Sequence, residues 1–291
     1  MVKMPGAAVP AEREPGTGHH SSVVFADDQE WAAHLCAFVR DGLARDEEIK
    51  YFADTTDPGR VLRTLGDAGI DAVAAERRGQ LSVSTAAQTY LAGTGFDPDA
   101  MIGLWYDAVE ESAARGYAGL RAIGEMSWGA RDIPGADRLL EYELRIHQEV
   151  FERLPLTAWC FYDRRLLPDD RVDVLVGAHP ANRGGPVGRP VLRVTPLTDR
   201  PGLRLSGSAG YDTREAVAAA AAAVRGMPTA RVELDLAGLR HLDTASLATL
   251  AAAVADRPAG PPLGVRHAPP PLRRLLDLFP EFGSAVEVLD R

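Results

Sequence analysis

The sequence predicts an α/β protein built of two units, and three observations predict it. Short apolar or alternating runs take turns with amphipathic stretches of about ten or more residues, the pattern of a largely parallel sheet flanked by helices. The chain has 291 residues, 46% apolar and 25% charged, which suits two globular units better than one. A single stretch, ANRGGPVGRP at 181–190, carries three glycines and two prolines without apolar periodicity and divides the chain there.

The elements follow in order. Residues 1–17 mix proline, glycine and charge without a period and read as a flexible tail. The first unit, 18–180, opens with the strand Ser21–Phe25. An amphipathic helix from about Asp28 to Ala44 follows, with Trp31, Leu35, Phe38, Val39 and Leu43 at helical spacing. IKYFAD reads as the second strand, and Arg60–Ala68 as a helix closed by Gly69. Gln80–Ser84 is a short strand. Asp99–Arg115 is a helix with Met101, Leu104, Trp105 and Val109 on one face. Leu120–Met126, Ala136–Arg153 and Leu156–Tyr162 read as strand, long helix and strand, and Asp170–Ala178 closes the unit.

Residues 181–189 are the expected flexible linker, and 190–291 the second unit. There, LRVTPLT and GLRLSGSA are strands joined at Asp199–Gly202, and an alanine-rich helix is capped by Asp212 or Thr213. RVELDLAGL is an alternating strand, and a helix from Leu247 to Ala255 follows it. The strand LGVRHA, the helix Leu272–Leu278 and the strand AVEVLD complete the unit.

Charge and cysteine usage bound the partners. From Pro190 onward there are 12 basic and 11 acidic residues, which leaves 20 of the 32 basic and 30 of the 41 acidic residues in the first 189. A first unit this acidic repels a phosphate backbone, and the second has no basic cluster, so no direct nucleic-acid partner is expected. Cys36 and Cys160 are isolated, which reads as reduced and cytoplasmic. The N-terminus lacks a signal-type apolar run, and the apolar stretch Ala216–Val224 is too short for a membrane span. The alanine- and arginine-rich usage suggests a bacterial source of high GC content.

Chemistry concentrates at the junction Asp243–Ser246. A helix start exposes free N–H groups and partial positive charge, so a phosphate on a hydroxyl there would be stabilised by both. Asp243 can orient that hydroxyl. The plain alternative is a helix cap and nothing more. VELDLAGLRHLDTASLATL, together with LRLSGSAGYDT and VRHAPPPLRRLLDLF, resembles the STAS domain of sulfate transporters and anti-sigma-factor antagonists across 190–291. The resemblance implies partner switching with an anti-sigma factor or serine-threonine kinase. It makes Thr244 the phosphoacceptor and Ser246 the less favoured one. Two departures weigh on it: the usual serine is Thr244, and the usual glycine is Ser246.

The first unit has no phosphate loop, no G-x-S-x-G and no H-E-x-x-H, so no enzyme activity is expected. HHSSVVFADDQEW, GQLSVSTAAQTYLAGTGFDPDAMI, GYAGLRAIGEMSW, LLEYELRIHQEVF and AWCFYDRRLLP, ending at His179-Pro180, together resemble the MEDS sensory domain over about 18–180. That resemblance implies a RecA/KaiC-like fold without its nucleotide-hydrolysing loop and a small-molecule ligand. The expected ligand residues are His20, Arg121, Glu125, Trp128, Glu143, Cys160 and Asp163, because ligands collect beyond the carboxyl ends of parallel strands. Each has a structural alternative: Arg121 as an ion-pair partner of Glu125 or Glu143, Cys160 as a buried strand residue. Trp105 and Trp159 read as core, and His147 as solvent-facing. His20, His179 and Cys160 are metal-ligand types, but without a spacing rule no metal or cofactor is expected. Two further readings stand beside the sensor: a RecA-like nucleotide-binding enzyme regulated by its STAS domain, and a homo-oligomeric scaffold subunit.

Overall fold

The computed structural model describes residues 18–228, 231–255, 262–280 and 285–289. The tail 1–17 expected to be flexible lies outside them. Two sheets form, one per unit.

The first sheet contains β1 (His19–Phe25), β2 (Glu48–Ala53), β3 (Leu81–Thr85), β4 (Leu120–Glu125), β5 (Leu156–Asp163) and β6 (Ala181–Asn182), in the order β3-β2-β4-β5-β1-β6. Every pairing in it is parallel. The helices are α1 (Asp28–Ala44), α2 (Pro58–Asp67), α3 (Ala72–Arg77), α4 (Pro98–Ala114), α5 (Leu139–Ile146) and α6 (Asp169–Gly177). Aspartates at 27, 57, 71 and 97 cap the first four by accepting backbone N–H groups of the opening turn. Gly69, at φ +76°, supplies the left-handed residue that ends the α2 region.

Both faces of this sheet are covered, so its strands are buried throughout and split their side chains between two cores. Val23, Phe25, Tyr51, Ile123 and Phe161 face α1, α2 and α3. Val24, Phe52, Ala122, Ala158, Cys160 and Tyr162 face α4, α5 and α6. The long helix expected over Ala136–Arg153 is instead a 3-10 turn, α5 and a π-helical turn at His147–Phe151. His147 is not solvent-facing: its side chain is only 13% exposed, and burial pushes its pKa down to about 4.

The second sheet runs β11-β10-β9-β8-β7, from β7 (Leu192–Pro196), β8 (Gly202–Ala209), β9 (Glu233–Leu242), β10 (Leu263–Arg266) and β11 (Val286–Val288). Among the described residues only the β7–β8 pair of this sheet is antiparallel. Its helices are α7 (Arg214–Gly226), α8 (Thr244–Ala255) and α9 (Pro270–Leu278).

The segment 181–189 is not a free tether. Ala181 and Asn182 pair with Ser21 and Ser22, the Arg183 and Gly185 amides donate to the carbonyls of Ser22 and Val24, and Gly188 N–H donates to Asp173. The two units also share a packed interface. Helix α5 lies against α7, and Leu144 of α5 sits in the second unit's core. The small side chains of α7 allow that approach, and Gly226 at its end faces the Arg145 guanidinium. Gln148 donates to the carbonyls of Arg200 and Gly202, and Thr195 to that of Gly177.

Candidate functional site

His20 opens β1 on the α5-facing side, and Cys160 lies on the same side of neighbouring β5, where Ser22 is its register partner. Glu143 comes down from α5, and His179 follows the C-terminus of α6. These four side chains converge. His20 Nε2 lies 3.4 Å from Cys160 Sγ and 3.2 Å from Glu143 Oε2. His179 Nε2 is 3.4 Å from the same oxygen, and Cys160 Sγ is 3.8 Å from it. All four residues are buried.

Their surroundings fix their orientation. Tyr162 hydroxyl donates to Glu143 Oε1 at 2.8 Å, and the Leu175 carbonyl lies 2.9 Å from His179 Nδ1. The His20 ring stacks on Phe151 with centroids 4.6 Å apart. Burial dominates the electrostatics. It pushes the His179 pKa down to about 3, with His20 adding to the shift, and pushes His20 well down. The same desolvation raises the Glu143 carboxyl and the Cys160 thiol. Among the described residues, His20 Nδ1 and His179 Nε2 have no hydrogen-bond partner.

Beside the cluster is a narrow cavity of about 30 Å³, with His20 and Cys160 in its wall. The small residues Ala122, Gly124 and Ala158 on the sheet leave room for it. Phe52 on β2 joins them, and Tyr90, Phe96, Trp105, Trp128 and Tyr142 enclose it from the helices and loops. Trp105 and Trp128 donate their indole N–H to the hydroxyls of Tyr142 and Tyr90, at 2.8 and 3.1 Å, so the aromatic part of the wall satisfies its own polar donors.

Of the residues expected around a ligand, the structure brings together His20, Trp128, Glu143 and Cys160. It places Arg121, Glu125 and Asp163 on the opposite face of the sheet. Arg121 is paired with Glu47 and Asp41, donates to the Phe38 carbonyl and lies over the Phe38 ring; neither Glu125 nor Glu143 is its partner. Glu125 accepts from Tyr51 hydroxyl at 2.5 Å and from the backbone N–H groups of Asp54, Thr55 and Thr56. Asp163 is held by Arg165, which also reaches Asp28. These three residues brace the carboxyl edge and the α1 side. In the sequence His179 stands as one scattered ligand type; its turn into the cluster depends on where α6 ends.

In the second unit α8 begins at Thr244, directly after Asp243. Asp243 accepts the Ser246 N–H at 2.7 Å. Hydrogen bonds from the Ser246 side chain and backbone hold the Asp243 carboxyl below its usual range. Ser246 is 4% exposed, whereas Thr244 is exposed. Thr213, expected as a cap of α7, bonds back to the Ser208 and Gly210 carbonyls instead of to the helix.

An all-parallel α/β unit with a narrow aromatic-walled cavity, joined to a five-stranded unit with a hydroxyl exposed at a helix start, makes a two-domain protein. Residues 19–180 match the sequence model of the MEDS family, the methanogen/methylotroph, DcmR sensory domain, and the chain belongs to that family. Residues 194–280 match a STAS domain, described as Mlab, STAS domain. Together they mark a signalling protein with a STAS output. No curated protein matches the chain in sequence. Among solved structures, a KaiC-like protein from the hyperthermophilic archaeon Pyrococcus horikoshii OT3 is similar at TM-score 0.37 and 12% identity, over 50% of this chain and 62% of that one. The helicase MrfA bound to DNA and AMPPNP is similar at TM-score 0.34 and 11% identity, over 92% of this chain and 39% of that one. The chain thus spans about three fifths of the KaiC-like structure. Among the described residues no helix is long and apolar enough to cross a membrane.

Proposed function

We propose that the chain is a non-enzymatic cytoplasmic switch. Its first domain binds a small, largely apolar molecule in the aromatic cavity. Its STAS domain relays occupancy to an anti-sigma factor or serine-threonine kinase, with Thr244 as phosphoacceptor. One observation carries this reading: α5 supplies Tyr142 to the cavity wall and Leu144 to the core of the STAS domain. A shift of α5 on ligand entry therefore acts on both domains at once.

Two further features support it. At the start of α1, Asp27 accepts the Glu30 N–H and Glu30 accepts the Ala26 N–H, so carboxylates occupy the amides that a nucleotide phosphate would use. That disfavours the nucleotide-binding alternative. At Thr244, a phosphate would meet the N-terminus of α8 in the open, whereas Ser246 is already bonded to Asp243. The test is binding of the cognate anti-sigma kinase to wild-type, Thr244→Val and Thr244→Asp protein. Thr244→Asp is expected to change affinity by about tenfold or more and Thr244→Val to abolish phosphate incorporation. Unchanged affinity in Thr244→Asp would sink the phospho-switch.

A further inference from the structure

We infer that His20, His179, Cys160 and Glu143 form a binding site for one divalent transition-metal ion, with zinc the best fit. The site is independent of what fills the cavity.

The donor set comes first. Two imidazoles, one thiol and one carboxylate oxygen are the ligand types zinc takes in four-coordinate sites, and a set with one oxygen in four is wrong for calcium or magnesium. The spacing agrees. Zn–N and Zn–O bonds of about 2.0–2.1 Å put tetrahedral ligand atoms roughly 3.3–3.4 Å apart, and a sulfur ligand widens its edges slightly. The separations here are 3.2 and 3.4 Å from the histidine nitrogens to Glu143 Oε2, and 3.4 and 3.8 Å at the sulfur. One ligand atom from each of the four residues lies within 4.8 Å of every other.

The second shell is that of a ligand site. A carbonyl at His179 Nδ1 selects the tautomer whose Nε2 lone pair faces the cluster, and Tyr162 holds Glu143 Oε1 so that Oε2 points inward. Phe151 fixes the His20 ring.

The protein alone leaves this arrangement incomplete. Both Nε2 atoms converge on a single oxygen, which has at most one proton to offer, and His179 Nε2 is left buried with no hydrogen-bond partner among the described residues. A divalent ion resolves the deficit. It accepts both lone pairs, and its charge balances a thiolate and a carboxylate, so four ionisable groups are buried at no net charge. Binding releases to solvent the thiol proton of Cys160 and any proton on Glu143.

The test uses the full chain, unfolded and refolded under reducing conditions with Zn²⁺ or Co²⁺, desalted, and measured for metal content and absorption. Wild type is expected to retain one ion per chain, and its Co²⁺ form to show a thiolate-to-cobalt charge-transfer band. Cys36→Ser should keep that band, which then can come only from Cys160, since the chain has two cysteines. Cys160→Ser should lose the band, and His179→Gln should weaken zinc binding at least about 100-fold. Folding of each variant is checked by circular dichroism; if Cys160→Ser does not fold, the band in Cys36→Ser decides. Absence of a stoichiometric ion in wild type, a Co²⁺ spectrum without thiolate, or equal retention by folded His179→Gln would each overturn the site.

Discussion

Glu125 shows what a buried carboxylate does when it is not a ligand. Its two oxygens gather the Tyr51 hydroxyl and three successive amides of the loop after β2, so the turn at Asp54–Thr56 is built around one side chain. Removing it leaves the buried Tyr51 hydroxyl and three partly exposed amides without their acceptor. Glu125→Ala is therefore expected to lower the unfolding free energy by about 3 kcal/mol or more, measured by urea unfolding. From the sequence Glu125 is expected at a ligand; in the structure its oxygens hold the loop after β2. Arg121, Glu125 and Asp163 share the parity of Ile123 and Phe161, which face α1 and α2; His20, Gly124 and Cys160 have the other parity. Alternation within β4 and β5 was legible, so the split into two faces could have been drawn. Which face carries the cavity was not, because that depends on the register of β1 against β5 and on α6 delivering His179. The register pairs residues 138 positions apart, such as Ser22 with Cys160, and no local pattern encodes it.

At the scale of elements, strands and helices were legible from periodicity to within a few residues, because both sheet faces are buried and the helices have one apolar side. The misses have physical causes. Helix α3 is a single short alanine-rich segment with little periodic signal. The π turn at His147–Phe151 differs from α-helix by its hydrogen-bond pairing alone, and it places Phe151 under His20. The alanine run of α7, read only as a helix, is also the surface on which α5 lies. Arg145 reaches across this contact while held by Glu141, Glu149 and Asp99, so it cannot swing away freely. A side chain at Gly226 would begin 2.7 Å from its Nε. Gly226→Leu is expected to cost about 1–3 kcal/mol by overpacking. On the proposed relay it should also leave kinase binding indifferent to ligand; a variant that still responds would argue that the signal bypasses the α5–α7 contact.

Over the whole molecule, composition suggests a division near residue 180 but tells nothing about where a glycine-rich segment rests. Lying beside β1, residues 181–185 complete the first sheet although they precede the second domain. The consequence reaches anyone who cuts the protein. A fragment ending at Pro180 strips the border of β1 and offers its unpaired amides and carbonyls as a template for another chain. Fragment 18–180 is expected to self-associate, and 18–189 to do so far less, as read by light scattering at matched concentration. Equal behaviour of the two would mean that the border is protected some other way. Two residues of strand and a few glycines thus act as a selvedge, keeping one protein's sheet from being continued by the next.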